Sequence, residues 1–82
     1  MSEVKILAFA GARDVLGAAE LSLPLEQETT ARALLDRICA LYPGLSPHAS
    51  SLRLAVNGAY AGWNDPVRAG DEVAIIPPVA GG

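Results

Sequence analysis

Eighty-two residues leave room for one domain and no more. Half of the chain is hydrophobic (51%), only 18% is charged and the net charge is −3. This excludes a disordered chain, and six scattered basic residues exclude a nucleic-acid-binding stripe. The single cysteine, Cys39, and the single histidine, His48, form neither a disulfide framework nor a metal-ligand set. No apolar run approaches the ~18–20 residues of a membrane span, and residues 1–20 lack a signal-peptide pattern. The expectation is a cytoplasmic protein with no membrane, metal or nucleic-acid partner. A domain this small hides only about 60–65% of its unfolded surface. Some of its apolar excess must therefore stay outside, where apolar patches mark partner sites.

Residues 4–10 read as a first strand, with Val4, Ile6 and Ala8 on one face and Lys5, Leu7 and Phe9 on the other. Gly11 to Gly17 reads as a glycine-bounded loop carrying Arg13 and Asp14. It is no phosphate loop, because it lacks the Gly-Lys-Ser/Thr ending and precedes a strand. Residues 19–25 alternate around Leu21, Leu23 and Leu25, and Pro24 marks an edge strand. Residues 30–42 change period. Ala31, Leu34, Leu35, Ile38, Leu41 and Tyr42 share an arc of about 120°, Thr29 or Thr30 supplies the cap, and Pro43-Gly44 the stop. Arg32 and Asp36, four apart, can pair on its outer side.

After a Ser/Pro/Gly-rich connection comes a third alternating strand over 52–57, with Asn57-Gly58 as its tight turn. Tyr60 to Trp63 allows a short strand. Asn64-Asp65-Pro66 and Ala69-Gly70-Asp71 read as turns, and Glu72 to Ile76 as the last strand. The order ββαβ(β)β points to an α+β fold. One main helix packs on one face of a mixed four- to five-stranded sheet, with the last strand beside the first: the β-grasp, or ubiquitin-like, arrangement. The expected organisation is a domain over 1–78 and a flexible Gly-Gly tail over 79–82.

No side-chain constellation supports catalysis. Cys39 has no His, Lys or second Cys near it in sequence and reads as a half-buried filler. His48 reads as a loop residue, and Asp71 and Glu72 as turn and surface carboxylates. The C-terminal block is the informative one. Pro77 and Pro78 end the strand and hold extended backbone. Val79, Ala80, Gly81 and Gly82 then reach about 13–14 Å beyond Pro78. Backbone without Cβ atoms can thread a narrow channel. A carboxylate at Gly82 would be a poor electrophile until activated, for instance as an acyl-adenylate.

Phe9-Ala10, Arg13-Asp14, Gly17, Leu34-Leu35, Tyr42-Pro43, Ala55-Val56-Asn57, Gly70-Asp71-Glu72-Val73-Ala74 and Pro77-Pro78-Val79-Ala80-Gly81-Gly82 together resemble the molybdopterin synthase small subunit (MoaD) family of ubiquitin-like sulfur carriers. The resemblance implies a non-catalytic, sulfur-donating subunit of a transferase, with catalytic side chains on the large subunit of a heterotetramer. An adenylyltransferase resembling ubiquitin-activating enzymes would use ATP and Mg to adenylate Gly82. A persulfide donor would convert it to a thiocarboxylate, which gives sulfur to cyclic pyranopterin monophosphate to form the molybdopterin dithiolene. No cofactor would be bound by the chain itself. The resemblance implies tail threading through Pro77, Pro78, Val79, Ala80, Gly81 and Gly82, and docking by Phe9, Arg13, Tyr60 and Ile76. The same tail also suits carriers for thiamine, cysteine or tRNA thiolation, a ubiquitin-like protein modifier, or an interaction module with an incidental tail.

Overall fold

The structure is a computed structural model that describes residues 2–77. Its elements, in chain order, are β1 (Glu3–Ala8), α1 (Ala10–Leu16), β2 (Glu20–Pro24), β3 (Thr29–Thr30), α2 (Ala31–Leu41), a 3-10 segment (Pro43–Ser51), β4 (Arg53–Val56), β5 (Ala59–Tyr60), β6 (Pro66–Val67) and β7 (Glu72–Ile76). Five strands form one mixed sheet in the order β2-β1-β7-β4-β5. As expected, the last strand lies beside the first at the centre of the sheet; the two run parallel, with Lys5 opposite Glu72 and Ala8 opposite Ile75. Pro24 sits on an edge strand, where a missing N–H costs no ladder bond.

The alternation of the sequence decides which face is core. Val4, Ile6, Leu54, Val73 and Ile75 are fully buried and meet Ala31, Leu34, Leu35 and Ile38 of α2 in one hydrophobic cluster. Thr30 caps α2, its Oγ1 accepting from the Ala33 N–H at 3.1 Å; such a cap contributes about 1 kcal/mol. Leu41, placed on the apolar arc by periodicity, is instead 53% exposed at the last turn, while Tyr42 beside it packs on the core. Arg32 and Asp36 form no ion pair; the pairs present among the described residues are Lys5–Glu20 and Arg68–Glu28.

The structure corrects three sequence expectations. Gly11 to Gly17 is not a loop but most of a second helix, α1, which buries Ala12 and Leu16 one turn apart. The chain turns into it at Ala10 (φ 50) and leaves it through Gly17 (φ 77), whose N–H bonds the Arg13 carbonyl. Seven residues, with Gly11 inside and Gly17 just after, carry too little periodicity to announce a helix. The connection over 43–51 is likewise a 3-10 segment, pinned by buried Leu45, and His48 lies within it. Finally, the strand expected over Tyr60 to Trp63 is only Ala59–Tyr60. Pro66–Val67, read as part of a turn region, instead bridges to Thr29–Thr30 as a separate two-stranded sheet.

A polar clamp sets the start of β7. Asn57, in the left-handed region (φ 52), accepts from the Glu72 N–H on its side-chain oxygen and donates its amide to Asp71 Oδ1 at 3.1 Å. The other Asp71 oxygen accepts from the Arg68 N–H at 2.9 Å. The Arg68 N–H first, and the Asn57 amide second, hold the Asp71 carboxyl below its usual value. A carboxylate lowered in the folded state contributes stability that is complete above its unfolded pKa, about 3.9. That stability fades as pH falls through the lower folded value. Acid unfolding followed by circular dichroism is therefore expected to lose part of its steepness below about pH 4 in Asp71→Ala. Identical acid limbs in both chains would show that the clamp is not linked to folding.

Candidate functional site: the open sheet face and the exit of β7

Helix α2 covers one face of the sheet, which leaves the other open. The registers assemble that open face row by row. Tyr60 pairs with Ala55, Ala55 with Ala74, Ala74 with Leu7, and Leu7 with Glu20. One row thus crosses the whole sheet. Its two alanines form a low floor between Leu7 and Tyr60, three strand spacings or roughly 14 Å apart. Tyr60 is 74% exposed.

The next row lies at the end of β7. Ile76 pairs with Arg53. Phe9, whose backbone is still extended (φ −128, ψ 153), stands two residues beyond Leu7, as Ile76 stands two beyond Ala74. The parallel register therefore carries Phe9 alongside Ile76, on the same face. Phe9 is 48% exposed, and its carbonyl accepts from the N–H groups of Ala12 and Arg13 in the first turn of α1. Arg13, four residues on, lies one turn above Phe9 and is exposed.

Of the four residues expected to meet a partner, Phe9, Arg13 and Ile76 are thus brought to one corner. Tyr60 sits at the far edge, joined to that corner by the alanine floor. Arg53, beside Ile76, is a residue that sequence reasoning passed over; its signal was its outward parity within 52–57. Pro77 follows at once and is half-buried at the point where the chain leaves the sheet. Pro78, Val79, Ala80, Gly81 and Gly82, and with them the expected domain boundary, lie outside the described residues.

The described residues offer little side-chain chemistry. Burial, and then the nearby Asp36 carboxylate, push the Cys39 thiol up, which disfavours a thiolate nucleophile. Among the described residues no group of three His, Cys, Asp or Glu side chains could hold a metal ion, and no helix is long and apolar enough to cross a membrane. What the geometry offers is a shallow apolar face with cations at its corner, next to the exit of β7.

Residues 6–82 match the ThiS family model, from β1 through both terminal glycines. The chain belongs to the ThiS family. The molybdopterin synthase sulfur carrier subunit of Arabidopsis thaliana is 38% identical over 80 residues, which cover 98% of this chain and 83% of that relative. In structure the chain is similar to a putative molybdopterin converting factor, subunit 1, from Pyrococcus furiosus. The TM-score is 0.84 at 26% identity, covering 96% of this chain and all of the other. It is also similar to small archaeal modifier protein 1 from Methanosarcina acetivorans, with a TM-score of 0.77 at 28% identity over 100% and 98% of the two chains. These likenesses agree with the ubiquitin-like architecture of the sheet and α2.

Proposed function

We propose that this chain is the sulfur-carrier subunit of a molybdopterin synthase, and that it works through its last residue. The observation that carries the reading is the extent of the family match, which reaches through Gly81 and Gly82. It is supported by relatives named molybdopterin synthase sulfur carrier subunit that span the chain at 31–38% identity, from Arabidopsis thaliana to Homo sapiens. The described side chains supply no nucleophile–base pair at the exit of β7, so the reactive group in this reading is the Gly82 carboxylate.

The chemistry follows from what a carboxylate lacks. Its carbonyl is too electron-rich to be attacked at neutral pH. A carboxylate oxygen attacks the α-phosphorus of ATP on an activating enzyme, pyrophosphate leaves, and the carbonyl becomes an electrophile with AMP as its leaving group. The terminal sulfur of a persulfide attacks that carbonyl and expels AMP. A thiol then reduces the resulting acyl disulfide and frees the thiocarboxylate. On the large subunit, that sulfur is delivered to cyclic pyranopterin monophosphate, and water restores the carboxylate. The open face formed by Phe9, Ile76 and Tyr60, with Arg13 at its corner, docks the carrier on the large subunit while the tail enters it.

Intact-mass measurement tests the reading. Incubated with its activating enzyme, ATP and a persulfide source, the chain is expected to exchange one oxygen for sulfur at Gly82. It should then lose that sulfur when large subunit and precursor are added. A chain that acquires no sulfur overturns the proposal. Structural likeness to small archaeal modifier protein 1 favours a second reading, in which the activated Gly82 carbonyl is attacked by a lysine amine. Isopeptide-linked conjugates in place of free thiocarboxylate would decide for it.

A further inference from the structure

Opposite the open sheet face, the exit of β7 borders a second apolar feature. A cavity of about 160 Å³ lies between α1 and the 3-10 segment. It is lined by Ala12 and Val15 of α1, Leu45 and His48 of the 3-10 segment, Leu52, and Pro77 at the point where β7 ends. Ala12, Leu45 and Leu52 are buried at its base, while Val15 is 36% exposed at its rim. The rim is held in place, because Val15 packs on Gly44 so closely that a Cβ there would lie 3.0 Å from Val15 Cγ1.

We infer that this cavity is a second docking point, which receives an aliphatic side chain of the large subunit. The inference deepens the proposed function and rests on it. Two observations commit the occupant. First, Pro77 is part of the cavity wall, and only five residues follow it as far as Gly82. Fully extended, they span no more than about 16–18 Å. A protein that encloses Gly82 must therefore come within that distance of the cavity wall. Second, Ile76 belongs to the open face and its neighbour Pro77 to the cavity. The two apolar surfaces flank a single strand exit, so a partner that grips the exit meets both. The site is apolar apart from His48, and it takes an uncharged group.

The test compares three variants of the full chain for binding to the large subunit by titration calorimetry, with thermal melting as the check on folding. Val15→Asp places a charge at the rim. Gly11→Leu, on the same wall, adds a side chain where a Cβ would meet nothing within 4 Å, and so leaves the core untouched. Phe9→Asp disables the open face. The inference expects Val15→Asp and Gly11→Leu each to weaken binding by about tenfold or more with melting unchanged. If both bind like the intact chain while Phe9→Asp does not, the cavity lies outside the interface and the sulfur-carrier reading stands. If all three bind like the intact chain, the docking surfaces of both proposals fail together. Should Val15→Asp melt early, Gly11→Leu alone decides.

Discussion

A chain lacking Gly81 and Gly82 is expected to melt with the intact chain and to deliver no sulfur. The first half follows from where the stability resides. The core cluster runs from Val4 to Ile75, and the sheet ladders end at Ile76, so the fold has closed before the tail begins. The second half follows from the absence of any substitute chemistry. The Cys39 thiol is pushed up and lies on α2, and the described residues present no other thiol. The truncated chain ends in a carboxylate on Ala80, two residues or about 7 Å short of the Gly82 position, so the large subunit would meet no carried sulfur at its reaction centre. Loss of intramolecular presentation alone costs on the order of a thousandfold or more. Replacing Gly82 by a bulkier residue is a milder version: the carboxylate keeps its place in the chain but the narrow backbone is lost. Sulfur incorporation read by intact mass, beside a melting curve, measures both halves. A truncated chain that still carries and delivers sulfur would place the reactive group elsewhere.

Phe9→Asp is expected to weaken binding to the large subunit by about thirtyfold or more, and Ile76→Asp by a similar factor. Phe9 is a large apolar side chain at 48% exposure beside a half-buried Ile76, on a face that α2 leaves uncovered. An aromatic anchor at the centre of an interface commonly contributes about 2 kcal/mol or more, which is the factor stated. The charge would also have to be desolvated on docking. Neither residue belongs to the buried cluster, so melting should move little. Tyr60→Ala is the informative comparison. It lies at the other edge of the sheet, and its effect reports whether the partner covers the alanine floor as far as β5. Unchanged affinity in both aspartate variants would move the docking surface off the open face.

The longer strands of the main sheet and α2 were legible from the sequence because each is patterned against a single boundary between core and solvent; the two-residue strands β3 and β6 were not. Alternation in 4–10, 52–57 and 72–76 fixed which residues face inward, and the structure buries Val4, Ile6, Leu54, Val73 and Ile75 accordingly. The same parity sent Phe9 and Ile76 outward. Helix α1 was not legible. Its cohesion comes from Ala12 and Leu16 resting on parts of the chain far away in sequence, and its local signals, Gly11 and Gly17, speak for a loop.

The apolar excess of this small chain was a property of composition, fixed by the sequence alone, as were the proline-then-glycine ending and the lack of any metal-ligand or catalytic spacing. Where that excess goes was decided only in three dimensions. The parallel register of β1 and β7 puts Phe9 beside Ile76, although they stand 67 positions apart in the chain. The packing of α1 on the 3-10 segment opens an apolar cavity against Pro77. Alternation along one strand states which face a side chain takes. It cannot state which strand lies next to it, because that depends on hydrogen-bond pairing between segments far apart in the chain.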